Sequence, residues 1–378
     1  MERFILIGAD VAPTKTNEKL FCEGNCQGLV GEDIGELLNS ASYRIFNLET
    51  PLTNQDTPIK KYGPALRARE ETVAGIKTLG ADLLTLANNH IMDHGKNGFH
   101  NTMRVLSSNG ISTVGAGKNI REAQKPFFLN FAEKKVGVFA CAEHEFSIAG
   151  ENKPGANPYE MHLTQQLIEK TKTQCDYLIV LYHGGKELYR YPSPELQERC
   201  RSFTERGANL VICQHSHCIG CHEKYNDGEI VYGQGNFIFL LDKDEFWKTG
   251  LLIKLNENFE ISYIPIVNDY YKVMAPSLEE GEKILLEFEE RSKKIKDAKF
   301  VYDTFEKYAR KIQKSYYVRM SGLDHNLLYL ICSKLNLQKL TAFMINRRIS
   351  EQTRLAVFDY MECETHKEIL RVGIHDGE

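Results

Sequence analysis

With 378 residues, 42% hydrophobic and 26% charged, the chain can bury a full core, which predicts one large domain plus a smaller appendage. A net charge of −4 offers no basic surface for nucleic acid or an acidic membrane, so neither is expected as a main partner. The ten cysteines are scattered rather than set in a disulfide framework, which predicts reduced thiols.

Residues 1–10 carry too short an apolar run for a signal segment and meet an acid at once. They are the first core strand, near residues 3–8, ending at Asp10. In the polar loop that follows, Cys22 and Cys26 form a lone C-x3-C pair, better taken as loop thiols than as a zinc site. Residues 43–48 make a second strand that finishes on Asn47-Leu48-Glu49. Pro51, Pro58 and Pro64 then keep the chain irregular as far as Arg69. A third strand at 82–86 runs into Ala87-Asn88-Asn89-His90, with Asp93, His94 and Gly95 just beyond. Residues 98–108 have helical spacing, 111–114 are a strand, 127–131 and 135–142 form a hairpin, and 163–173 are a helix.

The strand at 177–182 ends on His183-Gly184-Gly185, and that at 209–213 ends on Gln214-His215-Ser216-His217. Strand side chains alternate, so His-x-His continuing a strand sends both imidazoles the same way. Residues 230–237 close this stretch. Residues 250–256 and 260–266 predict an antiparallel hairpin, with the single Trp247 in the same β layer. From Ser277 the chain turns to charged helices at 279–296, 301–314 and from 324 to about 368, which places a boundary near residue 275. No segment is apolar for long enough to cross a bilayer, so a cytoplasmic protein is expected.

Asp10, Glu49, Asn89, His90, His183, His215 and His217 all follow apolar strands of what reads as one open sheet. Strand carboxyl ends are where α/β sheets keep their ligand sites. Two carboxylates, imidazoles and an amide oxygen suit two borderline divalent ions such as Mn²⁺, Fe²⁺ or Zn²⁺. Such a pair is used in phosphoester hydrolysis. Cys218, Cys221 and His222, with Cys213 upstream, raise a third, structural zinc site, but the spacing fits no familiar module and buried filler thiols are favoured.

An ordered set of motifs then carries a family resemblance. Asn47-Leu48-Glu49-Thr50-Pro51-Leu52-Thr53, Leu86-Ala87-Asn88-Asn89-His90 with Asp93 and Gly95, and His183-Gly184-Gly185-Lys186-Glu187 with Tyr191-Pro192-Ser193-Pro194 come first. His215-Ser216-His217 and Gly235-Asn236-Phe237-Ile238-Phe239 follow. Together they resemble the CapA family of poly-γ-glutamate and capsule synthesis proteins, within the calcineurin-like metallophosphoesterase superfamily, over residues 3–267. The resemblance implies an α/β fold, a four-layer α/β/β/α sandwich of the metallophosphoesterase type. The domain would span 1–275, with a helical C-terminal extension at 276–378. It implies two divalent metal ions, with Asp10 and His217 on the first, Glu49 bridging, and Asn89, His183 and His215 on the second. His90 matches the general acid, with Asp93 spaced to orient it, while Asn47, Glu187 and Asn236 would line the site.

Three departures accompany the match. Ala12 stands where superfamily phosphatases have the histidine of Asp-x-His, Glu49 replaces an aspartate, and Gly184 replaces a tryptophan. The function implied is metal-dependent hydrolysis of a phosphoester in capsule or cell-envelope polysaccharide or polyglutamate metabolism. Two alternatives stay open. One is an accessory protein that binds a phosphorylated or polyanionic intermediate beside capsule-biosynthesis proteins. The other is a γ-glutamyl amide hydrolase or transferase.

Overall fold

Runs rich in Ile, Leu, Val and Phe form the strands, where β-branched and aromatic side chains pack best on a pleated surface. The computed structural model describes residues 2–239, 244–269 and 272–375. In chain order the strands are β1 (Phe4–Ala12), β2 (Tyr43–Leu48), β3 (Leu83–Thr85), β4 (Ser112–Val114), β5 (Ala116–Gly117), β6 (Phe127–Phe131), β7 (Lys134–Ala142) and β8 (Gly155–Ala156). They continue with β9 (Tyr177–His183), β10 (Leu210–Gln214), β11 (His222–Tyr225), β12 (Gly228–Val231), β13 (Asn236–Phe239), β14 (Thr249–Asn256), β15 (Ile261–Asp269) and β16 (Lys272–Met274).

The first large sheet has the order β16-β15-β14-β1-β2-β3-β4, with β13 also pairing against β1. Its β1–β4 half is parallel, and β14–β16 form the antiparallel half expected from the 250–266 hairpin. The second sheet runs β11-β12-β10-β9-β7-β6, parallel at its centre and antiparallel at both edges. Alternation along β7 shows how the layers stack. Val136, Val138 and Ala140 join the core shared with the first sheet, while Phe139 and Cys141 face the opposite way. That outer face is covered by the helices Met161–Lys172 and Pro194–Glu205 through Ile168, Leu196, Cys200 and Phe203. The helices Glu32–Ser40, Val73–Thr78 and Gly95–Ser108 contribute Ile34, Leu38, Ile76, Phe99 and Leu106 to the core of the first sheet. The layers are therefore α/β/β/α.

Two local features bear on the site. β1 does not stop at Asp10 but continues to Ala12, and its register slips beside Asp10 against both β2 and β13. Such irregularities re-aim a side chain. The stretch 230–237 is divided between two sheets, β12 in one and β13 in the other. The crossing uses Gly233 and Gly235 at φ of 139° and 75°, and a Cβ on Gly235 would lie 2.6 Å from the Thr249 carbonyl oxygen.

By its contacts the chain divides into Met1–Tyr302 and Asp303–Glu378. The first unit therefore runs past the boundary expected at 275. The helix Leu278–Lys294 buries Phe288 completely in the main core, and Ile295 and Val301 join the outer-face cluster. In the second unit the helices Leu327–Lys334, Gln338–Arg348, Glu351–Glu362 and Glu364–His375 replace the continuous helical stretch expected from 324 to 368. They break where Asn336 takes φ of 53° and where Ser350 caps the next helix. Leu323, Tyr329 and Ile345 form a small core of their own. No helix among the described residues is long and apolar enough to cross a membrane.

Candidate metal centre

The carboxyl ends of β1, β2 and β3 in one sheet and of β9 and β10 in the other deliver donors to one place, not to the edge of a single open sheet. Asp10 lies within β1, Glu49 follows β2, Asn89 and His90 follow β3, His183 ends β9, and His215 and His217 follow β10. All are buried. Glu49, His215 and His217 form one triad, and Asp10, Glu49 and His183 another; within each, ligand atoms lie within 4.8 Å of one another. Glu49 belongs to both. His183 Nε2 is 3.1 Å from Asn89 Oδ1 and 3.4 Å from Glu49 Oε1. His217 Nδ1 is 3.5 Å from Asp10 Oδ2, and its Nε2 is 4.0 Å from Glu49 Oε1. The structure thus brings together all six residues expected as ligands.

Strand alternation does not align the two histidines of His-x-His. β10 stops at Gln214, and His215 and His217 take φ of 87° and 53°. Left-handed backbone at residues other than glycine costs on the order of 1–3 kcal/mol and collects at functional sites. Here it curls the loop so that the two rings lie with centroids 5.9 Å apart.

A chain of amides fixes Asp10. Asn88 donates to Asn47 Oδ1 at 3.0 Å and to the Leu48 carbonyl at 2.8 Å, and Asn47 donates to Asp10 Oδ1 at 2.8 Å. Asn47 also reaches within 3.4 Å of His183 Nδ1. Asn236, paired in register with Asp10, places Oδ1 2.9 Å from His217 Nδ1. Glu187 sits half-exposed at the rim, 3.9 Å from His215 Nε2.

Asp10 Oδ2, both Glu49 oxygens and His215 Nδ1 are buried without a hydrogen-bond partner among the described residues. Buried carboxylate oxygens left this way are costly unless a cation meets them. The oxygen and imidazole donor set suits Mn²⁺, Fe²⁺ or Zn²⁺, so the residues fit a divalent centre.

Burial and the neighbouring Asp10 charge hold the Glu49 carboxyl well above its ordinary range. Burial pushes Asp10 up too, but contact with His217 and the nearby His183 ring outweighs it, leaving Asp10 below its usual value. Burial drives His183 down to about 3 and His215 well below the ordinary imidazole value. An unfolded chain takes up a proton at such a ring below 6.5, whereas the folded His183 stays neutral down to about 3. Stability of the metal-free protein therefore falls as pH drops through that window. His183→Asn is expected to give a shallower fall in urea midpoint between about pH 6.5 and about pH 4. A slope equal to wild type would mean that the ring titrates normally in the fold.

His90 Nδ1 lies 2.6 Å from Asp93 Oδ2, which fixes the tautomer that donates from Nδ1 and leaves Nε2 open. Asp93 is held in turn by Lys61 Nζ at 2.7 Å and by the Leu66 amide at 2.6 Å. The spacing of His90 and Asp93 is thus realised as a direct contact.

Three residues near these groups escaped the sequence. Lys61 lies in the proline-interrupted loop, where no periodicity marks it. Trp247 is not in a strand but in the short helical turn Glu245–Lys248, stacked on His217 with centroids 4.5 Å apart at 22°. Glu143 follows β7, accepts from the Gly185 amide at 3.1 Å and lies 3.6 Å from His215 Nε2. Burial raises its carboxyl to about 7. The rule that flagged Asp10 and Glu49, an acid directly after an apolar strand, applies equally to Glu143.

The cysteines lie elsewhere. Cys213 Sγ is 3.4 Å from Cys200 Sγ in the outer-face core, and Cys221 packs in the same cluster. His222 is engaged by Glu229 at 2.5 Å and Glu289 at 3.0 Å. Cys22 accepts from Arg69. Among the described residues no cysteine joins a metal-ligating group.

A family model described as bacterial capsule synthesis protein PGA_cap matches residues 11–240 of this chain. The chain belongs to that family. The match takes in every site residue from Glu49 to Asn236 and begins one residue after Asp10. Among PGA_cap-like relatives, the capsule biosynthesis protein CapA of Bacillus anthracis is 28% identical over 266 residues, 63% of this chain and 63% of that one. A probable polyglutamine synthesis accessory protein of Mycobacterium tuberculosis is 25% identical over 222 residues, 55% of this chain and 58% of the relative. The chain spans about three fifths of the length of these curated relatives. A crystal structure of a novel phosphatase from Mycoplasma pneumoniae aligns with a TM-score of 0.44 at 14% identity, covering 71% of this chain and 95% of that one.

Proposed function

We propose that this PGA_cap chain is a divalent-metal-dependent hydrolase acting on a phosphoester in capsule or cell-envelope polymer metabolism. Glu49 supports this most directly, as a fully buried carboxyl group shared by both donor triads, with neither oxygen hydrogen-bonded among the described residues. Metal ions held by Asp10, Glu49, Asn89, His183, His215 and His217 would supply Lewis acidity and an ionised water near neutral pH.

The chain's own residues do the rest. Asn47 and Asn88 hold Asp10 in place, while Asn236 and Trp247 fix the plane of His217. With a proton on each ring nitrogen, His90 is the group positioned to pass the Nε2 proton to the leaving oxygen, because Asp93 holds the ring through Nδ1. Lys61 offsets the charge on Asp93 and keeps that carboxylate aligned.

The test is a panel of aryl phosphomonoesters and phosphodiesters, with a γ-glutamyl peptide included, assayed with and without added Mn²⁺. Hydrolysis of a phosphoester that needs Mn²⁺ and falls on the order of 100-fold in Asn89→Ala, His183→Ala and His215→Ala is expected. Cleavage of the γ-glutamyl peptide alone moves the chemistry to amides. No turnover by metal-replete protein on any substrate overturns the hydrolase.

Ala12 favours a second reading, because it leaves the Asp10 side one imidazole short of the usual phosphatase pattern. On it the chain is an accessory protein, as the M. tuberculosis relative is named, that holds a phosphorylated or polyanionic intermediate without converting it. Tight binding of a phosphorylated ligand with no product formed would favour this reading.

A further inference from the structure

The place left by the missing imidazole opens onto a cavity. Ala12, Lys15, Thr50, Leu66, Arg67 and Phe239 are among the residues that line a space of about 260 Å³. Four of these tie it to the donor cluster. Ala12 lies two residues beyond Asp10 in β1 and pairs in register with Phe239. Phe239 packs edge-on against His217, with ring centroids 5.3 Å apart. Thr50 directly follows Glu49, and the Leu66 amide donates to Asp93 Oδ2.

Charge around the centre is distributed unevenly. Lys15 and Arg67 border the cavity, and none of the described residues lining it is acidic. The rim on the His215 side instead carries Glu143, Glu145 and Glu187. Arg67 is only loosely engaged, with Nε 3.9 Å from the exposed Asp56 carboxylate and Nη1 3.3 Å from the Asn54 carbonyl. Exposed pairs of this kind contribute little and yield readily to a better anion. A planar guanidinium beside an ammonium suits a carboxylate or a phosphate.

We propose that this cavity is a subsite for a second anionic group, a carboxylate or a phosphate, on the same molecule whose first anion sits at the donor cluster. This rests on the proposed function only in placing the first anion at the metal centre. It narrows the substrate to a polyanion, oriented with its continuing charge toward Lys15 and Arg67 and away from the acidic rim.

Three matched probes test it by calorimetry on the Mn²⁺-loaded protein. Propylphosphonate carries one anionic head, 3-phosphonopropionate adds a carboxylate, and propane-1,3-diphosphonate adds a second phosphonate. At least one two-headed probe should bind about tenfold tighter than propylphosphonate, and which one does so identifies the second anion. That advantage should shrink at high salt. In Lys15→Gln/Arg67→Gln it should disappear while propylphosphonate affinity and Mn²⁺ uptake stay unchanged. Both positions are exposed, so the fold is not at stake. Equal binding of the three probes, or an advantage that survives the double substitution, overturns the subsite and leaves the hydrolase untouched. If propylphosphonate itself fails to bind, the placing of the first anion falls and the subsite falls with it. A selective loss in the variant with no turnover on any ester retains the subsite and removes the hydrolase.

Discussion

Glu49→Gln is expected to raise the thermal midpoint of the metal-free protein while removing most of its response to Mn²⁺. The carboxylate is fully buried, neither oxygen has a hydrogen-bond partner among the described residues, and Asp10 adds a like charge. Below 4.5 both folded and unfolded chains carry this group protonated, so it contributes nothing there. As pH rises, the unfolded chain ionises first, because the folded group is held well above its ordinary value. The metal-free fold therefore loses stability toward neutral pH, and the neutral isostere avoids that loss. A gain of roughly 2–5 °C near pH 7.5 is reasonable for a domain of this size. With Mn²⁺ the order reverses. Saturation at 100 times the dissociation constant stabilises wild type by about 2.7 kcal/mol for each site filled, and the variant should lose most of this. Trp247 is the only tryptophan and stacks on His217, so its emission gives an independent measure of loading. A variant that keeps the full Mn²⁺ shift would remove Glu49 from the centre.

Lys61→Met should destabilise the protein by about 3–5 kcal/mol, the range for breaking one side of a buried ion pair. The Lys61 and Asp93 side chains are 3% and 0% exposed, so Asp93 would keep a charge that water cannot reach. The pair also staples the irregular segment after Pro51 onto the site, together with the Ile59 amide to the Asp93 carbonyl and the Thr57 amide to His94 Nδ1. Adding Asp93→Asn to Lys61→Met removes the stranded charge and should recover a good part of the loss. Urea unfolding of both single variants and the double variant gives the coupling directly. A cost below about 1 kcal/mol for Lys61→Met would mean that the pair is solvated and that the loop is held by its backbone bonds alone.

Residues that obey a period were legible, and residues placed by irregular backbone were not. β1, β2, β7, β9, β10 and the β14–β15 hairpin announce themselves as apolar runs with turn residues between them, and their carboxyl ends point to the donors. The convergence of His215 and His217 was expected for the wrong physical reason, since φ above zero rather than alternation turns the rings together. Trp247 lies in a turn, and Lys61 in a loop governed by prolines, so neither has a sequence period that would aim it at the centre. Phe288 shows the opposite failure. A helix over 279–296 is expected from the sequence, but a charged amphipathic helix looks the same whether it closes one unit or opens the next.

The spread of the donors along the chain sets when the site comes into being. Asp10 lies one residue before the family match and its partner Asn236 near the match's far end, and His183 to His217 arrive from a sheet whose strands lie between them. Closing so long a loop is entropically expensive until both sheets exist and can dock. A chain emerging from the ribosome therefore cannot assemble the cluster until β13 has been made, however early Asp10 and Glu49 appear. Before that point the same carboxylates and imidazoles are exposed, scattered and poor at retaining an ion. Tight retention of metal would then mark completed folding, and any truncation or misdocking that keeps the sheets apart would register first as an inability to hold the ion.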